Sequence, residues 1–249
     1  MLKLKPFIYS PSIIPHRRLA GAPIVVDFSD YIPAKSVKQS RRPLIHRSFS
    51  VQMESNAVNT PSTLPSPAIV KLKVIEATPE TFKEFGQVIE ATPDGEPYGP
   101  NDAQLDLSNG IPRFYIMQLK GRSLKFSSIT HHANVTQCLG SIGGDVWYLG
   151  VAKPSIVGSG PSSDPVHCPD IVQAKCGHFY VPPGVDEVQG FRISGPKFIK
   201  LNVGTWHAGP LFTVEKMDFY NLELSNTNEV DHTTHYFNKK NGVTFLMED

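Results

Sequence analysis

The chain has 249 residues and carries 24 Lys+Arg against 23 Asp+Glu, a net charge of +1. That balance excludes a generally basic nucleic-acid binder and a self-repelling acidic chain. No stretch approaches the ~18 consecutive apolar residues needed to span a bilayer, so neither a nucleic-acid nor a membrane partner is expected.

The charge is unevenly placed. Residues 1–50 carry nine basic and two acidic side chains, leaving a charge of −6 on the remainder. This first region holds six prolines from Pro6 to Pro43 and shows no periodicity. Its Arg47-Ser48-Phe49-Ser50 resembles a mitochondrial processing pattern. It reads as an organellar transit peptide, for mitochondrion or plastid; the alternative is a basic arm retained on a cytoplasmic protein. Residues 51–68, rich in Ser, Asn and Pro, read as a disordered linker. Residues 69–249 read as a single domain, long enough to bury one core.

Order is expected from Ile69, where Val70, Leu72 and Val74 alternate with Lys71 and Lys73 in strand period. Thr78 as N-cap, Pro79 at the first helical position and Phe82 and Phe85 on one face predict a short helix, with Gly86 stopping it in a left-handed conformation. Strands are then predicted at 113–119, 124–130, 146–152, 178–181, 197–203 and 211–224. Turn signals separate them at Asn109-Gly110, Gly143-Gly144, Pro182-Pro183-Gly184 and Gly195-Pro196. Many short strands with such punctuation point to a mainly β fold: an antiparallel sandwich or barrel of the jelly-roll, cupin-like double-stranded β-helix kind, with one short N-terminal helix.

No phosphate-cradling Gly loop, G-x-S-x-G elbow or H-E-x-x-H occurs. The histidines are the informative set. His131 and His132 follow a predicted strand, where adjacent side chains point to opposite faces and only one can line an interior. His132 is followed by no carboxylate within the next five residues, which argues against a metal-binding cupin pattern, and Asp186 and Glu187 after the Pro-Pro-Gly turn read as a strand entry. The pairs His167-Cys168 and Cys176-x-His178 offer soft ligands at a spacing that fits no common zinc pattern. Three cysteines, Cys138, Cys168 and Cys176, form no C-x-x-C pair, which favours free thiols in a reducing compartment. His232-x-x-His235 reads as a solvated pair in a polar tail, able to share a helical face. Gly204-Thr205-Trp206-His207 stands apart: at a predicted strand end before Gly209-Pro210, it puts an aromatic wall and a group titrating near neutrality beside one pocket.

Taken in order, Lys71-Leu72-Lys73-Val74, Phe82-Lys83-Glu84-Phe85-Gly86-Gln87-Val88-Ile89, Asn109-Gly110, Thr205-Trp206-His207 and Asp218-Phe219 resemble the ureidoglycolate lyase family, historically also called ureidoglycolate hydrolase, over Ile69 to Glu223. The leader and length are similar to plant members. The resemblance implies a cupin-like barrel, a homodimer, and cleavage of ureidoglycolate to glyoxylate and urea in allantoin (purine) catabolism, with a small ureido-acid substrate and no cofactor or metal. It further implies His207 as general base or acid, His132 as its companion, and Asp218 orienting an imidazole. Arg113, Asn109, Trp206 and Asn202 then bind substrate, Arg113 by pairing with the carboxylate. The chain departs from the family at Ala133, Val135, Thr136 and Gln137, and has Asn202 and Ala208 where histidines can occur. A non-catalytic cupin-like protein binding a small carboxylate or a protein partner is therefore the alternative, and a metal-dependent cupin enzyme a third.

Overall fold

The computed structural model describes residues 66–158 and 170–249. The expected transit peptide, residues 51–65 of the expected linker and the His167-Cys168 pair lie outside them. The described chain is mainly β, with three single-turn α-helices and one 3-10 turn at Val185–Glu187 among the described residues.

The first strand, β1 (Ala68–Glu76), leads to α1 (Pro79–Phe82) and β2 (Gly86–Ile89). There follow β3 (Pro112–Lys120), β4 (Lys125–Phe126), β5 (Ser128–His131), β6 (Gln137–Ser141) and β7 (Trp147–Ala152). Short strands β8 (Ile156–Val157), β9 (Val172–Gln173) and β10 (Phe179–Tyr180) precede β11 (Gln189–Ile193), β12 (Phe198–Leu201) and β13 (Trp206–Leu211). The chain ends with β14 (Lys216–Leu224), α2 (Thr227–Val230), β15 (Thr233–Tyr236), α3 (Phe237–Lys240) and β16 (Val243–Glu248).

Two large sheets carry the fold. One runs β15-β5-β13-β7-β11-β1-β16-β4 and the other β2-β12-β6-β14-β3, with β8-β10-β9 as a small third sheet. The predicted all-antiparallel arrangement is modified, because β1 lies parallel to both of its neighbours, β11 and β16. The eight-stranded sheet curls so far that Phe126 on its β4 edge reaches over β7: a Cβ on Gly150 would lie 2.3 Å from the Phe126 ring. Only a residue without a side chain fits there.

Burial follows the two layers. One core fills the curl, with Phe126, Tyr148, Trp206, Phe237, Phe245 and Met247. The other lies between the two large sheets, with Leu139, Leu149, Phe191, Ile199, Leu201 and Phe219.

The helix forms as its caps dictate. The Thr78 hydroxyl accepts from the Thr81 amide and the Thr81 hydroxyl accepts from the Thr78 amide, with Pro79 in the first turn. Its purpose is to deliver Phe82 and Phe85 against Phe191, at ring separations of 5.0 and 5.5 Å. Gly86 acts differently from expectation. It is not among the residues with positive φ but opens β2, where an added Cβ would lie 1.8 Å from the Lys200 carbonyl oxygen. Close backbone approach, not helix termination, requires glycine there.

Truncating Phe191, fully buried at this three-ring contact, is expected to cost about 3–5 kcal/mol, read as a lower urea midpoint with an unchanged slope; a loss under about 1 kcal/mol would mean that the rings do not form the core joint.

Candidate functional site

Strand alternation divides the histidines between two faces. On β5 and just beyond it, His131 and His132 point oppositely, and on β13 Trp206 and His207 do the same. His207 pairs with Thr130 across the two strands, so the like-facing members meet. His131 packs on Trp206 with ring centroids 4.0 Å apart, whereas His132 and His207 lie 5.3 Å apart and both line a cavity of about 510 Å³ between the two large sheets. A segment predicted as a strand end is thus a strand start: Gly204, at φ 82°, turns the chain, and β13 runs on through Gly209-Pro210 to Leu211.

Backbone carbonyls fix the tautomers. His207 Nδ1 donates to Thr205 O at 3.1 Å, and His132 Nδ1 donates to Asp231 O. The Nε2 of each ring is left as a bare acceptor, with no partner among the described residues. Burial, followed by the neighbouring His132, pushes the His207 pKa down to about 3, and burial does the same to His131. His232 joins the cavity at its rim, its ring 5.7 Å from His132. Partial desolvation and the His132 ring lower its pKa too. It precedes β15, so His232 and His235 do not share a helical face.

The five-stranded sheet supplies the opposite wall. On β14 the residues Met217, Phe219, Asn221 and Glu223 turn inward and are buried, and the last two are polar. Glu223 accepts from Tyr115 Oη at 3.2 Å, Gln137 Nε2 at 2.9 Å and Asn228 Nδ2 at 3.3 Å. Asn221 Oδ1 also accepts from Gln137 Nε2, and Asn221 Nδ2 donates to Tyr115 Oη. With both amide protons of Gln137 directed at these acceptors, its carbonyl oxygen is the polar atom left for the cavity. Burial and the Glu223 charge raise the Tyr115 pKa, keeping the phenol neutral. The exposed side chains of Arg122 and Lys125 sit at the open rim.

Other expected site residues stand elsewhere. Asp218 belongs to the outward set of β14 and accepts from Gln118 Nε2 at 3.1 Å; period-two alternation bars it from the cavity. Trp206 is fully buried on the face opposite His207, its indole N–H donating to Ser155 Oγ at 2.9 Å. Asn202 Oδ1 accepts from the buried Lys200 Nζ at 2.7 Å, and Asn109 Nδ2 donates to Asn134 O at 3.0 Å in an exposed turn. Arg113 stops above Tyr115, its guanidinium carbon 3.7 Å from the ring centroid and Nη1 3.9 Å from Glu223 Oε1. None of these five lines the cavity. Of the departures from the family segment, Thr136 bonds the 106 loop through Asp106, Val135 is core, and Gln137 is a cavity residue. After the Pro-Pro-Gly turn, the Glu187 carboxylate accepts from the Gly184 amide and caps its own turn.

The missed residues are Glu223, Tyr115, His232, Arg122 and Lys125. Their signal was present for one wall: Met217-x-Phe219-x-Asn221-x-Glu223 is an apolar face that turns polar at one end. Among known proteins, no protein-family model matches the chain and no curated protein matches it.

Because His131 and His207 stay neutral when folded and protonate near pH 6.5 when unfolded, their contribution to stability is complete above about 6.5 and is lost progressively as pH falls toward 3. Between pH 7 and 5 the unfolding free energy is expected to fall by up to about 2 kcal/mol from the fully buried His131, and by less from the half-buried His207. Urea denaturation at both pH values checks this, and His131→Asn should flatten the slope; a slope unchanged by that substitution would refute the assignment.

Proposed function

We propose that the chain is a ureidoglycolate lyase-type enzyme on a cupin-like double-stranded β-helix, cleaving ureidoglycolate to glyoxylate and urea. The observation carrying this reading is the pair of imidazoles, His132 and His207, in one cavity, each with Nδ1 tied to a backbone carbonyl and Nε2 bare. At about 510 Å³ the cavity is in the usual range for a small ligand.

The reaction forms a C=O bond from the substrate hydroxyl as the C–N bond breaks. His207 Nε2 takes the hydroxyl proton, and the departing ureido nitrogen must gain one. A ring whose cation is disfavoured by burial does not keep a proton; it passes it on. In the free cavity that cation is too unfavourable for an efficient base. An anionic substrate beside the ring offsets this by stabilising the imidazolium. The His132 ring, 5.3 Å away, completes the path to the leaving nitrogen. The substrate carboxylate is held by Arg122 and Lys125 at the rim rather than by Arg113, which faces Tyr115 and Glu223. The free Gln137 carbonyl accepts from the terminal amide of the ureido group.

The purified chain is expected to release glyoxylate from ureidoglycolate, with His207→Ala and His132→Ala each lowering kcat/KM about 10²-fold or more. Arg122→Ala should raise KM well above the effect of Arg113→Ala. A folded protein that releases no glyoxylate at high substrate overturns the reading, and calorimetric binding without turnover supports the non-catalytic alternative.

A second copy of the chain is proposed as partner. The outer face of the five-stranded sheet exposes Phe114 at 65% and Ile116 at 60%, with Tyr220 stacked 5.8 Å from Phe114, and β3 is the open edge of that sheet. Such a patch favours association. Light scattering should give a dimer that Ile116→Asp converts to monomer; a monomeric wild type would reject this partner.

A further inference from the structure

On the face opposite the cavity, four chemistry-bearing side chains meet that the proposed reaction does not use. Cys176 Sγ lies 3.3 Å from His178 Nδ1, and Cys176, His178 and Asp231 each offer a ligand atom within 4.8 Å of the others. Behind His178, its Nε2 contacts Nε2 of the fully buried His131 at 2.6 Å.

Three features of this cluster point to a cation. Asp231 is 3% exposed, and no Lys or Arg among the described residues lies within ion-pair distance of it. Its two oxygens accept from the Ala133 and Asn134 amides, at 2.8 and 2.7 Å, which orients the carboxylate but does not neutralise it. The donors grouped with this buried carboxylate are the His178 imidazole and the Cys176 sulfur. The sulfur–nitrogen spacing also fits. Bond lengths of about 2.3 Å to sulfur and 2.0–2.1 Å to nitrogen at a tetrahedral angle place the two ligand atoms about 3.6 Å apart, close to the observed 3.3 Å.

We propose that Cys176, His178 and Asp231 form a binding site for a divalent cation of the zinc class, with His131 as the outer partner of His178. Ligation through His178 Nδ1 requires the ring proton on Nε2, and His131 Nε2 accepts it; this is the supporting hydrogen bond that metal-bound histidines ordinarily make. His131 then carries its own proton on Nδ1, the buried atom that has no hydrogen-bond partner in the structure, with the Trp206 ring beside it. The cation displaces the thiol proton of Cys176, which leaves to solvent, so one proton is released per ion bound. Three protein ligands leave a fourth position for water. The site fastens the turn before β10 to the link between α2 and β15.

The test uses the full chain, stripped of metal by chelator under reducing conditions and titrated with cobalt(II), then with zinc. One equivalent of cobalt should produce a near-ultraviolet thiolate-to-metal band that zinc abolishes. That band should persist in Cys138→Ser and in His232→Gln, and vanish in Cys176→Ser, which alters an exposed side chain and leaves the fold intact by near-ultraviolet circular dichroism. Chelator competition should show zinc affinity falling by more than the 10- to 100-fold typical of losing an outer partner in His178→Gln. Failure of the wild type to bind cobalt, or a thiolate band that survives Cys176→Ser, overturns the proposal. Glyoxylate assays do not enter it, so its failure and that of the proposed reaction are separable.

Discussion

A β-strand presents successive side chains to opposite faces, and everything chemical in this molecule hangs on where that alternation falls in two adjacent pairs. His131-His132 and Trp206-His207 lie on neighbouring strands, β5 and β13, with His207 opposite Thr130. Their register sends one histidine of each face to a different fate. His132 and His207 face the cavity between the sheets; His131 and Trp206 face the interior of the curl. A slip of one residue in β13 would place the indole in the cavity and His207 in the apolar core, and a slip in β5 would exchange His132 for His131.

The cavity end of the sandwich is polar on both walls, and it is tolerated because its groups are satisfied. Glu223 and Asn221 are nearly inaccessible, yet Tyr115, Gln137 and Asn228 direct donors at the carboxylate. A fully bonded network of this kind holds one arrangement of side chains, whereas a half-satisfied one would cost more than an apolar wall. The imidazoles of His132 and His207 stand opposite, each fixed through Nδ1 by a backbone carbonyl. Among the described residues that line the cavity, the fixed positive charges are at the rim, on Arg122 and Lys125. An anion entering there would meet cations first, with the imidazole acceptors and the fully bonded Glu223 carboxylate further in.

Much of the β architecture was legible in the sequence, because period-two runs and glycine-proline turns report local geometry directly. The strands expected at 113–119 and 146–152, most of the one expected at 211–224, the capped helix at Thr78-Pro79 and the separate faces of His131 and His132 all follow from residue patterns, although Leu211 closes β13 and β14 begins only at Lys216. Parallel pairing of β1 with β11 and β16 does not, since those partners lie more than 100 residues downstream and nothing local encodes them. Site membership failed for a related reason. Asp218, Trp206 and Asn202 were expected at the site because the family resemblance implies them, but Asp218 and Trp206 fall on the opposite strand faces from the cavity residues beside them and Asn202 pairs with Lys200. Glu223, which does reach the cavity, looked like the end of an apolar strand. The loss of a carboxylate after His132 also proved to be local only: β14 supplies one from 91 positions further on.

Asp231 ties the two faces together. Its carbonyl oxygen accepts from His132 and so sets the ring that lines the cavity, while its carboxylate lies with Cys176 and His178 on the other side. Its side chain also caps the Ala133 and Asn134 amides, holding the turn from which His132 is presented. His232, the next residue, stands at the cavity rim. Three independent contacts thus pass through one residue whose own backbone and side chain point in different directions. The side chain can rotate without moving the backbone carbonyl, so the coupling between the faces runs through the turn: the carboxylate holds the Ala133 and Asn134 amides next to His132, and the carbonyl holds the His132 ring itself.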